Sequence, residues 1–295
     1  MQLLKMYHKS DIEILIATMN QTNFDFLETM FLFSDFNKFN ILIVNQTTEN
    51  KVLHSNNERI KVLNVFEKGL SKSRNLALEN ATKKLVIFTD DDVVFQQKFD
   101  KKIIKAFNSN SEHDGFRFQY LNGQGNLAKK YPRTFQSKLT NFEILNTSSV
   151  ELVFKRESLK DTNLQFDENF GLGAKFFMGE EAIFVSDGIK KGLKIGFIPE
   201  KLLSHSQPST GHKTLISEVY YVQSAVFYRI FGKMQLFWIA LKLFFDLKQS
   251  KISFSEVGHL FKQAQKGKEA YANATKLQII IYSKNRRPKR KSFGY

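Results

Sequence analysis

Over its first two hundred residues the chain alternates short apolar runs with stretches of helical periodicity, and this rhythm restricts its fold more than any other feature. "IEILIAT" (12–18) and "FNILIVNQT" (39–47) are nearly continuous in Ile, Leu and Val, as strands covered on both faces must be. Between them, "NFDFLETMFLFSDF" places Phe24, Leu27 and Phe31 at helical spacing. "RIKVLNVFEKGL" reads as a third, weaker strand, "SKSRNLALENA" as a helix opened by a serine, and "KKLVIFTD" as the next strand. A βαβ succession implies an α/β fold, a mostly parallel sheet with helices on both faces. Past residue 212 long helical patterns replace it. The expected organisation is therefore an α/β domain over 1–212 and a helical, basic segment over 213–295.

In open sheets of this kind ligands collect outside the carboxyl ends of the strands. Asp90, Asp91 and Asp92 stand there, directly after the fourth apolar run. Three adjacent like charges are costly unless a cation neutralises them, and carboxylate oxygens select Mn²⁺ or Mg²⁺ over softer metals. The bland alternative is a solvated turn with one helix-capping Asp. The chain has no Cys, which excludes disulfides, thiolate zinc sites and cysteine nucleophiles.

The company of this triplet resembles the family 2 glycosyltransferases, whose nucleotide-binding fold is called GT-A. "ILIATMN" is similar to the family's opening strand and Thr-x-Asn turn, with Thr18 and Asn20 in place. "EKGLSKSRNLAL" resembles its Gly-x-Ser-x-x-Arg-Asn stretch through Gly69, Ser71, Arg74 and Asn75. "TDDD" matches the Asp-x-Asp motif for metal and diphosphate, and "GLGAKFFMGEEAIFVSDGIKKGLKIGFIP" resembles the later acidic segment, helix and strand. The likeness spans roughly residues 10 to 210 and implies a metal-dependent, inverting transferase that uses a UDP- or GDP-linked sugar and a single displacement. It implies metal ligation by Asp90 and Asp92, with His205 completing the site, and donor contacts from Thr18, Asn20, Gly69, Arg74, Asn75, Asp90 and Asp91.

The same residues have readings of their own. Glu180 and Glu181 open a helix, where carboxylates favour the dipole; the resemblance makes Glu181, with Glu180 beside it, the base that removes the acceptor proton. Ile183, Phe184 and Ile189 of that helix should face the core. Arg74 has a fork that suits phosphate, or is a surface arginine near a helix start. Asn45 stands where the family commonly has an Asp contacting the nucleotide base. Gly171 and Gly173 suit a flexible acceptor loop, and the adjoining Phe176 and Phe177 either stack on a sugar or pack inward. His212 is a second, weaker candidate ligand.

The formal charge is +15, of which Asp246 to Tyr295 carries +9, twelve Lys or Arg against three Asp or Glu. The terminal "KNRRPKRKS" could meet anionic lipid, nucleic acid or nothing. "KMQLFWIALKLFFDLKQ" confines Gln235, Lys242, Asp246 and Gln249 to one stripe among apolar residues, fitting either a membrane interface or a buried core helix. No run suits a signal peptide or a spanning helix, so a cytoplasmic enzyme, peripheral on the inner membrane face, is expected. Its partners would be the nucleotide sugar, a glycan or lipid-linked acceptor and the membrane surface, with no nucleic acid. The rival classes are a non-catalytic basic binding module and a sugar-phosphate nucleotidylyltransferase; "ATMNQTN" lacks the Gly-rich, basic loop the latter needs.

Overall fold

The computed structural model describes residues 6–205 and 215–285, with side chains as far as residue 276. It forms two compact units, Met1–Thr210 and Gly211–Tyr295. In the first, chain order is β1 (Ile12–Met19), α1 (Asp25–Met30), β2 (Asn40–Gln46), β3 (Ile60–Val65), α2 (Leu70–Asn80), β4 (Leu85–Asp90), β5 (Val93–Phe95) and α3 (Phe99–Ser109). There follow β6 (Gly115–Asn122), α4 (Asn141–Leu145), β7 (Leu152–Lys155), α5 (Arg156–Asp161), α6 (Glu180–Lys190) and β8 (Ile195–His205). The strands make one sheet in the order β3-β2-β1-β4-β7-β6-β8-β5. The first four are parallel, β7 runs against both β4 and β6, β8 is parallel to β6, and β5 closes the far edge antiparallel to β8.

The continuous apolar strands are covered on both sides. Ile14 and Ile16 of β1 join Leu27, Met30, Ile103 and Phe107 in one layer. Leu15, Leu42, Val44 and Phe88 meet Ala77, Phe184 and Val185 of α2 and α6 in the other. Each such side chain, fully removed from water, contributes about 1.5–3 kcal/mol. Glu13 interrupts the run without penalty, because its carboxylate accepts the backbone N–H groups of Thr82 (2.6 Å) and Lys83 (2.9 Å) and so fixes the approach to β4.

Two expectations change. The first helix is only Asp25–Met30; Phe31 ends it and packs against Phe39 and Phe95, with centroids 5.1 and 5.0 Å away, leaving Leu32 and Phe33 exposed. Ile183 and Phe184 are fully buried, but Ile189 is 36% exposed. At that end of α6 the core packs against Gly188, where a Cβ would lie 3.1 Å from Leu164 and 3.3 Å from Ile195, so the next side chain turns outward.

The second unit comprises α7 (Ile216–Phe231), α8 (Gln235–Lys248) and α9 (Val257–Asn285), with Gly232 at φ 58° marking the break between α7 and α8. α7 and α9 touch at Gly267, where a Cβ would fall 1.8 Å from the Tyr221 carbonyl oxygen. Among the described residues, no helix is long and apolar enough to cross a membrane. His212 and the basic residues from 286 onward lie outside the described residues.

Candidate active site

At the carboxyl edge of the parallel strands the acidic triplet divides among three partners. Asp90 ends β4 beside Ala17 of β1, and its Oδ1 lies 3.2 Å from Arg74 Nη2. Asp91 accepts from the Thr18 hydroxyl and from Gln21 Nε2, the latter at 2.9 Å. Asp92 meets His205 Nε2 at 2.9 Å, where β5 pairs with the end of β8. Each carboxylate has its own side-chain partner: the Arg74 guanidinium for Asp90, the neutral donors of Thr18 and Gln21 for Asp91, and the His205 imidazole for Asp92. Among the described residues no cluster of three His, Asp or Glu is set to hold an ion.

Arg74 is the centre of the arrangement. It lies in the first turns of α2, 3% exposed. Nη1 donates to Glu180 (3.0 Å) and Glu181 (3.2 Å) at the start of α6, and Nη2 to Asp90 and to Ser149 Oγ (2.7 Å). Burial works against its charge, but Asp90, Glu181 and Glu180 outweigh it and hold the guanidinium protonated. Burial also raises the carboxyl of Asp90 above its ordinary value. Glu180, 4% exposed with Oε2 unpartnered, is pushed up to about 8 by burial and then by the neighbouring Glu181 charge, against the pull of Arg74. Glu181 remains partly open, its side chain 16% exposed. The structure thus joins Asp90 at a strand end to Glu181 at a helix start through one planar fork.

Other expected donor-binding residues shape the edge from within. Asn45 is fully buried; its amide accepts from Gln21 N and donates to Gln21 O and Asn64 Oδ1, at 3.1, 2.9 and 3.0 Å. Asn75, 6% exposed, closes a two-way bond with the Phe166 backbone. These bonds hold both amides in the frame of the sheet edge, and Asn75 also lines a cavity with Ser73 and Glu168. Asn20 is exposed in the left-handed region at φ 55°, which Asn tolerates, and its N–H donates to Gln46 O. Gly69 caps α2 with its N–H on Gln46 Oε1 at 2.9 Å.

The glycine loop is docked rather than free. Leu70 N donates to Leu172 O and Ser71 Oγ to Phe170 O. Gly171, at φ 102°, leaves room for Glu180: a Cβ would lie 3.1 Å from both Glu180 Cδ and Ser71 Oγ. Phe176 is buried and stacked on Phe170 at 4.9 Å; Phe177 is half-buried.

Sequence reasoning missed Gln21, Ser149 and a second buried cluster. Glu151, with no exposure, accepts from Arg117 Nε (3.0 Å) and Lys129 Nζ (3.3 Å) and from the Tyr131 hydroxyl. The one signal was Arg117, a charge set between Phe116 and Phe118 in an apolar strand, which requires a buried counter-charge. Ser149 and Glu151 belong to one short turn and tie this cluster to Arg74.

An α/β sheet with this strand-end carboxylate arrangement defines a class, and the comparisons name it. The family model of Glycosyl transferase family 2 matches residues 14–162, and the chain belongs to that family. The matched span includes Arg74 and the acidic triplet but ends before Glu180, Glu181 and His205.

Among solved structures the chain is similar to S. aureus TarS 1-349, with TM-score 0.51 and 16% identity over 74% of this chain and 65% of that one. The same TarS fragment in complex with UDP-GlcNAc gives TM-score 0.54 and 16% identity, covering 74% and 66%. In complex with UDP it gives 0.52 and 15%, covering 83% and 76%. The likeness shows the GT-A fold. The chain spans 65–66% of the length of the first two of these structures. No curated protein sequence matches it significantly.

Proposed function

We propose that the chain transfers a sugar from a nucleotide-diphosphate donor to an acceptor hydroxyl with inversion. The observation that carries this reading is the Arg74 fork, which holds Asp90 and Glu181 each 3.2 Å from one of its nitrogens. Asp90 lies at the strand edge where a diphosphate would sit, and Glu181 borders the same point from α6. The UDP-GlcNAc held by the similarly folded TarS structure supports a nucleotide-sugar donor here, UDP- or GDP-linked.

In this reading Glu181 takes the acceptor's proton as the hydroxyl oxygen bonds to the anomeric carbon, and the electron pair of the breaking sugar–oxygen bond leaves with the diphosphate. Arg74 keeps Glu181 oriented. A protonated Glu180 lessens the repulsion that a third anion would add to Asp90 and Glu181. Thr18 and Gln21 hold Asp91 at the donor edge.

Asp92 and His205 fit a divalent cation. Asp92 Oδ1 and His205 Nε2, 2.9 Å apart, would supply a carboxylate oxygen and a neutral imidazole nitrogen, a donor pair suited to Mn²⁺ or Mg²⁺. Asp90 Oδ1 is engaged by Arg74, so the two side chains of this pair are the ligands offered. When bound there, the ion would neutralise charge developing on the diphosphate.

The acceptor in this proposal is a glycan or lipid-linked glycan of a bacterial surface polysaccharide, and the enzyme works peripherally on the cytoplasmic face of the membrane. The domain reading follows: 1–212 catalytic, 213–295 associating. The test is a panel of nucleotide sugars scored for Mn²⁺-dependent thermal stabilisation. A UDP- or GDP-sugar should raise the melting midpoint and Asp92→Ala should abolish the rise; no shift with any nucleotide sugar overturns the reading.

A further inference from the structure

α8 turns most of its polar stripe inward; of the four stripe residues only Gln249 is exposed. Gln235, 1% exposed, donates to Ser224 Oγ on α7 at 2.6 Å. Asp246, 7% exposed, accepts from the Tyr220 hydroxyl and from Lys242 Nζ, both at 2.8 Å. Water is the cheaper partner for such groups, and a water-facing helix would turn this stripe out. Here the stripe is satisfied by α7, and the opposite side carries large apolar groups into the open. Met234 is 60% exposed, Phe237 56% and Phe244 58%. Phe237, Leu241 and Phe244 follow at i, i+4 and i+7, so they share one face. Exposed lysines bracket that face: Lys233 before it, Lys248 and Lys251 after it.

We propose that this face of α8 is an interfacial anchor for an anionic lipid surface, with Phe237 and Phe244 entering the acyl boundary and the flanking lysines meeting headgroup phosphates. The inference rests on the reading of the chain as a membrane-peripheral transferase and assigns the residues that make it so. Charge selects the occupant. Residues 246–276 carry six Lys against three Asp or Glu, and Lys233 adds another positive charge beside the face, so a second copy would bring like charge to the contact, whereas an anionic bilayer brings the opposite one. The aromatic rings select it too, since a polyanion in solution would pair the lysines and leave Phe237 and Phe244 in water.

The experiment is flotation of the full chain with vesicles of phosphatidylcholine alone and of phosphatidylcholine mixed with phosphatidylglycerol, at low and high salt. The chain should float with the mixed vesicles and less so as salt rises. Phe237→Ser with Phe244→Ser should weaken partitioning about tenfold or more. Lys233→Glu with Lys248→Glu should erase the preference for anionic lipid. Both side-chain pairs face outward, so all variants should keep the parent's melting midpoint.

Equal flotation of the Phe variant, or no flotation of the parent with either vesicle, overturns the proposal. So does a parent of twice the chain mass that the Phe variant converts to single chains, which would assign the face to a second copy. The donor-induced thermal shift separates this result from the catalytic reading: it should persist in the Phe variant, and its absence from both proteins would sink the transferase proposal while leaving the vesicle result intact.

Discussion

Replacing Arg74 by methionine keeps most of the side chain's length and removes its charge and fork. In the native chain one guanidinium, 3% exposed, serves Asp90, Glu180, Glu181 and Ser149. Breaking a buried ion pair from one side costs about 3–5 kcal/mol, because the partner charge is left desolvated and uncompensated. With three carboxylates at stake, the loss at pH 8 should be about 4 kcal/mol, a fall of about 8–16 °C in melting midpoint for a unit of this size.

The variant also makes a pH prediction with a definite sign. Glu180 is already raised to about 8 by burial and by Glu181, and Asp90 is raised by burial; losing Arg74 raises both further. A carboxyl whose folded pKa exceeds its unfolded value, about 4.3 for Glu, binds more protons folded than unfolded across the window between them. Stability therefore increases as pH falls from 8 towards 5, more steeply in the variant than in the parent. By pH 5 the deficit should shrink to about half or less. Calorimetry at pH 5, 6, 7 and 8 measures it. A deficit below about 1 kcal/mol at pH 8, or one that widens on acidification, would refute the argument that Arg74 neutralises this cluster.

Further outcomes follow from single contacts. Glu181→Gln should lower kcat by about 10²–10⁴ while leaving donor affinity by titration calorimetry within a few-fold, as expected for loss of a general base; an unchanged kcat removes Glu181 from the chemistry. His205→Ala should weaken Mn²⁺-dependent donor binding by about tenfold or more with little change in metal-free stability, and equal binding would exclude the imidazole as a ligand. Gly171→Ala should cost about 1–3 kcal/mol in chemical denaturation, since φ 102° is strained for an L side chain and the new Cβ crowds Glu180. A neutral result would mean that the loop relaxes freely.

Much of the sheet was legible because β1, β2 and β4 are local apolar runs whose burial does not depend on which partner covers them. The first helix was overextended: its spacing includes Phe31, but the aromatic partners that pull Phe31 out of the helix, Phe39 and Phe95, are distant in sequence. Ile189 failed in kind, because Gly188 lets the core close on the helix backbone. In the site, Asp90, Arg74 and Glu181 could be named from motifs. That they form one cluster could not, since residues 74 and 181 meet only through the stacking of α2 and α6 on the same sheet face.

The polar stripe of α8 gives the sharpest separation. Sequence alone determined that Gln235, Lys242 and Asp246 share one side of a helix, because that depends only on 3.6 residues per turn. Which side faces water depends on free-energy differences with neighbours. The bond that Gln235 donates to Ser224 and the one Asp246 accepts from Tyr220 turned that side inward and left the phenylalanines out. Likewise the triplet's position after a strand is a property of the chain, while the division of its charges among Arg74, Thr18 with Gln21, and His205 is a property of the fold. Electrostatic compensation acts over a few ångströms of space, and that distance is set by packing rather than by separation along the sequence.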